Sequence, residues 1–226
     1  MKPWTRKFID LSRSAGALKF GSFELKSGRA SPYFFNAGAF CDGHLISAIA
    51  DCYADAIVAA TVDAGIEFDL IFGPAYKGIP LATSVAISLY RDHGINVPVA
   101  YDRKEAKGHG EGGRLVGAPV AGRVLVVDDV ISAGTAFTDA RRLIEGGGAR
   151  VGALVVGLDR QERGTGAVSA RSEIESDGIS VVTVASLDDL IVALQAKGPG
   201  SDAESESLSD MLEYRTRYGA RAGVDS

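Results

Sequence analysis

Residues 124–136, Val-Leu-Val-Val-Asp-Asp-Val-Ile-Ser-Ala-Gly-Thr-Ala, constrain the fold of this chain more than any other stretch. The run predicts a buried strand over 124–127 that ends in two adjacent carboxylates, Asp128 and Asp129. A short loop follows, then a helix with Phe137, Ala140 and Ile144 on one face. A continuously apolar strand belongs in a parallel sheet covered on both faces, and ligands of such sheets bind beyond the carboxyl ends of the strands. The loop over 131–136 adds backbone N–H groups and two hydroxyls at a helix N-terminus, which suits a phosphate. Either feature alone is also a routine way of starting a helix. Together they point to a ligand carrying both hydroxyls and phosphate, and a sugar phosphate fits.

With 226 residues, 46% apolar and 23% charged, the chain can build one α/β domain with a substantial core and some additional elements. A formal net charge of −5 argues against a general nucleic-acid surface, so any anion site must be local. Cys41 and Cys52 are too few for a disulfide framework and lack zinc-ligand spacing; they read as reduced, packing thiols of a cytoplasmic protein. No secretory leader pattern is expected at the start, and no run is expected to reach the roughly 18 apolar residues of a spanning helix. Walker A, Rossmann-type glycine and His-Glu-x-x-His patterns are absent, which removes the usual support for nucleotide hydrolysis, dinucleotide redox chemistry and zinc proteolysis.

Taken in order, residues 4–15 predict a covering helix with Phe8, Ile9, Leu11 and Ala15 near one face, stopped by Gly16. Residues 17–36 predict a small antiparallel hood, with Lys26 beside its Ser-Gly turn and Phe34-Phe35 able to flank a planar ligand. Residues 42–65 predict a long scaffold helix, and 68–72 a short apolar strand. The turn Gly-Pro-Ala-Tyr-Lys-Gly over 73–78 then sets Tyr76 and Lys77 at a helix N-terminus, a second anion cup. After a strand over 97–100, residues 102–114 carry Arg103, Lys104, Lys107, His109 and Arg114 among glycines and predict a mobile loop. A strand over 151–158 leads to Arg160, which can grip a carboxylate through two parallel N–H bonds or simply anchor its own loop. A last strand spans 179–184, and Ser186-Leu-Asp-Asp189 resembles a capping box. The expected domain occupies 1–196, with the hood mainly 1–40 and the core about 41–196. Residues 197–206 then read as an acidic flexible linker and 208–218 as a short helix.

The acids and the loop after them resemble the phosphoribosyl pyrophosphate (PRPP) motif of the type I phosphoribosyltransferases. Four further pieces narrow the likeness: Phe-Glu-Leu-Lys-Ser-Gly-Arg-x-Ser-Pro-Tyr-Phe-Phe-Asn from Phe23, Gly-Pro-x-Tyr-Lys-Gly, Tyr-x-Arg-Lys-Glu-x-Lys-x-His-Gly-Glu-Gly and Leu-Asp-Arg-Gln-Glu-Arg-Gly. With them the chain resembles the bacterial orotate phosphoribosyltransferases over residues 5–195. The fold implied is α/β, a central mostly parallel sheet flanked by helices with a small N-terminal hood.

The resemblance also implies a reaction: orotate and PRPP give orotidine 5′-monophosphate and pyrophosphate, with Mg2+ as cofactor held mainly by substrate oxygens and water. It assigns Asp128 and Asp129 to the ribose hydroxyls, and Val130, Ile131, Ser132, Ala133, Gly134, Thr135 and Ala136 to the PRPP loop. Lys26, Tyr76 and Lys77 serve PRPP and pyrophosphate. Phe34, Phe35, Ser132 and Arg160 hold orotate. Arg103, Lys107 and His109 reach the neighbouring subunit's site while Lys104 serves its own, which implies a homodimer sharing the loop; Lys107 is grouped with the two acids as catalytic. Ser132 stands where many relatives carry Thr. A transferase for another base, and a PRPP-binding regulator without catalysis, are the alternatives. Lys26, Phe34-Phe35 and Arg160 oppose the first, the acidic balance and the retained Lys107 and His109 the second.

Overall fold

A proline at its first position opens α1 (Pro3–Ser14), where the missing N–H would have no helical partner in any case. β1 (Leu18–Glu24) and β2 (Ala30–Phe35) form the antiparallel hood. In α2 (Gly43–Ala64), Asp42 accepts from the Leu45 N–H at 2.8 Å, and Gly65 closes the helix at φ 64°, a left-handed conformation that costs glycine little. The chain continues through β3 (Leu70–Gly73), α3 (Gly78–His93), β4 (Val99–Lys107), β5 (Gly113–Gly117) and β6 (Arg123–Val130). It ends with α4 (Thr135–Gly146), β7 (Arg150–Asp159), α5 (Ala170–Ser176), β8 (Ser180–Ser186), α6 (Leu187–Ala196) and α7 (Asp202–Tyr218). The computed structural model describes residues 1–25, 28–107, 113–131, 135–163, 168–196 and 202–220.

The central sheet runs β5-β4-β3-β6-β7-β8, parallel except for β5, which pairs antiparallel with β4. The apolar run in β6 is unbroken because both of its faces are covered. Leu125 and Val127 enter the core that holds Tyr53, Ile57, Ala82 and Val85 of α2 and α3, while Val124 and Val126 enter the one that holds Ala140 and Ile144 of α4. Ser186 and Asp189 cap α6 reciprocally: the Ser186 N–H donates to Asp189 Oδ2 at 2.9 Å and the Asp189 N–H to Ser186 Oγ at 3.2 Å.

Four expectations need correction. Part of the 102–114 stretch is not loop: β4 runs to Lys107 and β5 starts at Gly113, held by Tyr101–Val116 and Asp102–Leu115 pairing. Cross-strand pairing overrides the poor burial that made the stretch read as a loop. α2 does have the length and apolarity of a spanning helix, with a mean hydropathy of 1.6. Its alanines raise that average, but Ile49, Cys52, Tyr53 and Ile57 are packed in the core and Asp51 pairs with Lys7 and Arg91. The C-terminal helix starts at Asp202, inside the expected linker, and buries Met211 and Tyr214 completely or nearly so. Cys41 is exposed; only Cys52 packs.

Candidate active site

From β3 the chain moves to β4 on one side and returns as β6 on the other, so the carboxyl ends of β3 and β6 flank a topological switch point. A crevice for ligand opens at such a place. The 74–77 turn leaves β3 there, and the two acids sit at the end of β6. Glycine is required on both sides of the turn. A Cβ on Gly73 would lie 2.3 Å from the Gly78 carbonyl oxygen, and one on Gly78 would lie 2.7 Å from Pro74 Cδ and 3.0 Å from the Val127 oxygen. Strand end, helix start and β6 therefore touch through backbone, which brings Lys77 over β6.

Lys77 Nζ donates to Asp129 Oδ2 at 2.9 Å and to Asn36 Oδ1 at 3.3 Å. One ammonium thus ties the α3 N-terminus, the acid pair and the end of the hood. Strand alternation separates the acids: Asp129 follows the parity of Leu125 and Val127, toward α2 and α3, whereas Asp128 follows Val124 and Val126, toward α4. Asp128 Oδ1 accepts from the Asp129 N–H at 2.8 Å, and the Tyr53 hydroxyl donates to the Asp128 carbonyl oxygen at 3.0 Å. Burial, with the neighbouring Asp129 charge second, pushes the Asp128 carboxyl up to about 7.

That shift has a measurable consequence. Unfolded, the carboxyl releases its proton near 3.8; folded, it holds the proton up to about 7. Between those values the folded state binds more protons, so this contribution to stability is complete below the lower value and is lost as pH rises through the upper one. Chemical denaturation between about pH 4 and pH 8 should therefore show Asp128→Asn gaining on the wild type as pH increases. A stability difference independent of pH would remove the buried-acid account.

The β4–β5 hairpin is anchored to the same turn. Asp102, 6% exposed, accepts from the Ala75 N–H at 2.7 Å and from Arg114 Nη2 at 3.3 Å. Lys104 Nζ stands 5.1 Å from the centroid of the exposed Tyr76 ring, and the Arg103 carbonyl accepts from Arg114 Nε at 3.2 Å. Arg103, Lys104, Tyr76 and Lys77 are thus carried on two adjoining segments. The Lys107 backbone ends β4; its side chain and all of His109 lie outside the described residues. α4 begins at Thr135, six residues beyond Asp129, with Val130 half-buried, Ile131 buried and Ala136 exposed. Ser132, Ala133, Gly134 and the Thr135 side chain lie outside the described residues, as does Lys26.

The hood divides its aromatic pair. Phe34 is exposed and stacks on Phe23 at 5.6 Å, while Phe35 turns inward against Phe8 at 5.9 Å and Phe40 at 6.2 Å. Strand alternation puts adjacent residues on opposite faces, so the two rings do not form one platform. Arg160 also differs from a free two-bond grip. Its guanidinium lies 4.2 Å from the Tyr33 ring centroid; Nε donates to Glu162 Oε1 at 2.6 Å, and Nη2 donates to Ser31 Oγ at 3.0 Å and to the Tyr214 hydroxyl at 3.2 Å. Among the described residues Nη1 has no hydrogen-bond partner.

Asn36, Tyr53, Asp102, Glu162 and Tyr214 belong to this site's framework and escape the sequence reading. Asp102 carries one legible signal, an acid two residues past the apolar strand expected over 97–100. Asn36, Tyr53 and Tyr214 meet Lys77, Asp128 and Arg160 across 41, 75 and 54 residues of chain, and Glu162, two residues from Arg160, also meets Tyr214 across 52.

Among the described residues no cluster of three or more His, Cys, Asp or Glu side chains is disposed to hold a metal. The two adjacent carboxylates supply the hard oxygen donors that Mg2+ takes when phosphates complete its shell, so the residues fit a magnesium that binds together with a phosphorylated substrate.

A family model described as the phosphoribosyl transferase domain matches residues 42–184. An orotate phosphoribosyltransferase of Saccharophagus degradans is 50% identical over 220 residues, spanning 97% of this chain and 99% of that protein. One of Klebsiella pneumoniae is 49% identical, spanning 97% and 100%. The solved structure of the orotate phosphoribosyltransferase of Francisella tularensis superposes with a TM-score of 0.79 at 35% identity, covering 94% of this chain and 95% of that one. The aligned 220 residues extend past residue 197 and so take in the C-terminal segment.

Proposed function

The chain belongs to the orotate phosphoribosyltransferases of the phosphoribosyl transferase family, and from that premise we propose how its residues divide the work. It is a phosphoribosyltransferase that moves the 5-phosphoribosyl group from PRPP to orotate in pyrimidine biosynthesis, giving orotidine 5′-monophosphate and pyrophosphate. The observation that carries the site is Lys77 paired with Asp129 across the switch point. It joins a cation suited to pyrophosphate to a carboxylate suited to a ribose diol.

In the proposed arrangement Asp128 and Asp129 accept from the ribose hydroxyls and fix C1. The α4 N-terminus at Thr135, with Ser132, Ala133 and Gly134 before it, takes the 5′-phosphate on backbone N–H groups. Lys26, Tyr76, Lys77, Arg103, Lys104, Lys107 and His109 surround the pyrophosphate. Cations placed where charge develops lower the barrier to departure of that group, because the transition state carries more leaving-group charge than PRPP does. Mg2+ would add charge neutralisation on the pyrophosphate oxygens. Lys77 exchanges Asp129 for substrate as the ribose hydroxyls reach the carboxylate. Phe34, Phe35, Ser132 and Arg160 hold orotate, Phe35 from behind as packing support and Arg160 through Nη1 to the carboxylate. The hairpin that spans 99–117 serves two subunits of a homodimer, and exclusion of water by its closure protects PRPP from hydrolysis. Cytoplasmic placement follows the two unbridged cysteines.

The direct test follows loss of orotate absorbance with PRPP and Mg2+, with uracil, hypoxanthine and a chelator as controls. Turnover is expected with orotate alone and only with the metal present. Folded, magnesium-supplied protein that leaves orotate unchanged would sink the reading.

A further inference from the structure

We infer that Tyr214, on the C-terminal helix, is a positioning residue for Arg160 and through it a determinant of selectivity for an anionic base. The inference rests on the proposed role of Arg160 in holding orotate. The Tyr214 hydroxyl donates to Glu162 Oε1 at 2.6 Å and accepts from Arg160 Nη2 at 3.2 Å, while Arg160 Nε donates to the same Glu162 oxygen at 2.6 Å. These three bonds close a ring around one edge of the guanidinium. The Tyr33 face at 4.2 Å fixes its plane, and Ser31 takes another Nη2 hydrogen at 3.0 Å. Among the described residues the contacts to this guanidinium fall on Nε, Nη2 and the face, which leaves Nη1 as the donor for a ligand carboxylate.

Tyr214 can impose this geometry because it is itself held. It is 4% exposed and meets the Tyr33 ring edge-on at 6.1 Å. Beyond it the helix end is sewn to the loop that carries Arg160: the Arg163 N–H donates to the Tyr218 oxygen at 3.0 Å, and the Ala220 N–H to the Gln161 oxygen at 2.8 Å. Arg29 of the hood reaches Glu162 Oε2 at 3.4 Å and lies over the Tyr218 ring at 5.5 Å. A buried polar ring in which each member is paired has one low-energy arrangement. Without the hydroxyl, Nη2 and Glu162 lose a shared partner, and the guanidinium is held less tightly, by Glu162, Ser31 and the Tyr33 face.

Tyr214→Phe in the full chain keeps the ring packing and removes only the hydroxyl. Losing one hydrogen bond around a charged group should raise the KM for orotate by about tenfold. The KM for PRPP should stay unchanged. In an Arg160→Ala background the same substitution should have no further effect on the orotate KM, since Tyr214 acts through the missing side chain. If Arg160→Ala raises the orotate KM and Tyr214→Phe does not, the inference fails while the assignment of Arg160 stands. If both KM values rise together and the melting temperature falls, the helix is merely structural and the inference fails likewise. If Arg160→Ala itself leaves the orotate KM unchanged, the proposed orotate contact is wrong and the inference falls with it.

Discussion

Asp129→Ala should lower kcat/KM by about 10²-fold or more, because a group positioned at the reacting centre is lost. The fold should survive. Asp129 is 9% exposed and its Oδ2 holds Lys77 at 2.9 Å, but the Lys77 side chain is 54% exposed and can return to water. The substitution therefore strands no buried cation, and it removes the Asp129 charge that, after burial, raises Asp128. Steady-state kinetics beside a thermal melt separates the two effects: activity should fall steeply with little change in melting temperature. Near-normal turnover would dismiss Asp129 as a ribose anchor. Mixed with Lys107→Ala protein under conditions of subunit exchange, the inactive variant should regain part of its activity, since one hybrid site then carries both residues intact. Failure to regain any, with exchange demonstrated, would refute the shared hairpin.

Gly73→Ala should do the opposite and damage stability first. The added Cβ would lie 2.3 Å from the Gly78 oxygen, 2.6 Å from its carbonyl carbon and 2.9 Å from Ala82 Cβ. Two of these are backbone atoms of a helix start that is itself pressed against β6, so neither side can yield without moving Lys77. Overpacking of this kind costs about 1–3 kcal/mol, which for a chain of this size lowers the melting temperature by roughly 3–10 °C. Activity should fall as well, through displacement of Lys77 from Asp129. An alanine variant that melts and turns over like the wild type would show that the β3–α3 turn has room it does not have in this structure.

The two predictions differ in what sequence alone supports. Asp129 was legible at once: an apolar run ending in two acids before a glycine-containing loop has few uses other than a ligand site. The turn over 73–78 was legible as an anion cup, but not the reason for its glycines, which depends on α3 and β6 arriving at the same point. Phe34-Phe35 and Arg160 show where local reasoning stops. Adjacent aromatics suggest a shared platform until strand alternation sends one outward and one into the core. A strand-end arginine suggests an open fork until residues 31, 162 and 214 occupy most of it.

By itself the sequence determined the parallel α/β architecture, the capped helices, the end of the sheet that carries chemistry and, through its motifs, the family. Those depend on periodicity, turn residues and acids placed next to the strand that presents them, all short-range properties of a chain. Only the tertiary structure decided that Lys77 meets Asp129, that Asp102 braces the hairpin against the β3 turn, and that the C-terminal helix closes on Arg160. Each of these joins residues at least 27 positions apart. Their partners are chosen by the order of strands in the sheet and by burial, which no local pattern encodes.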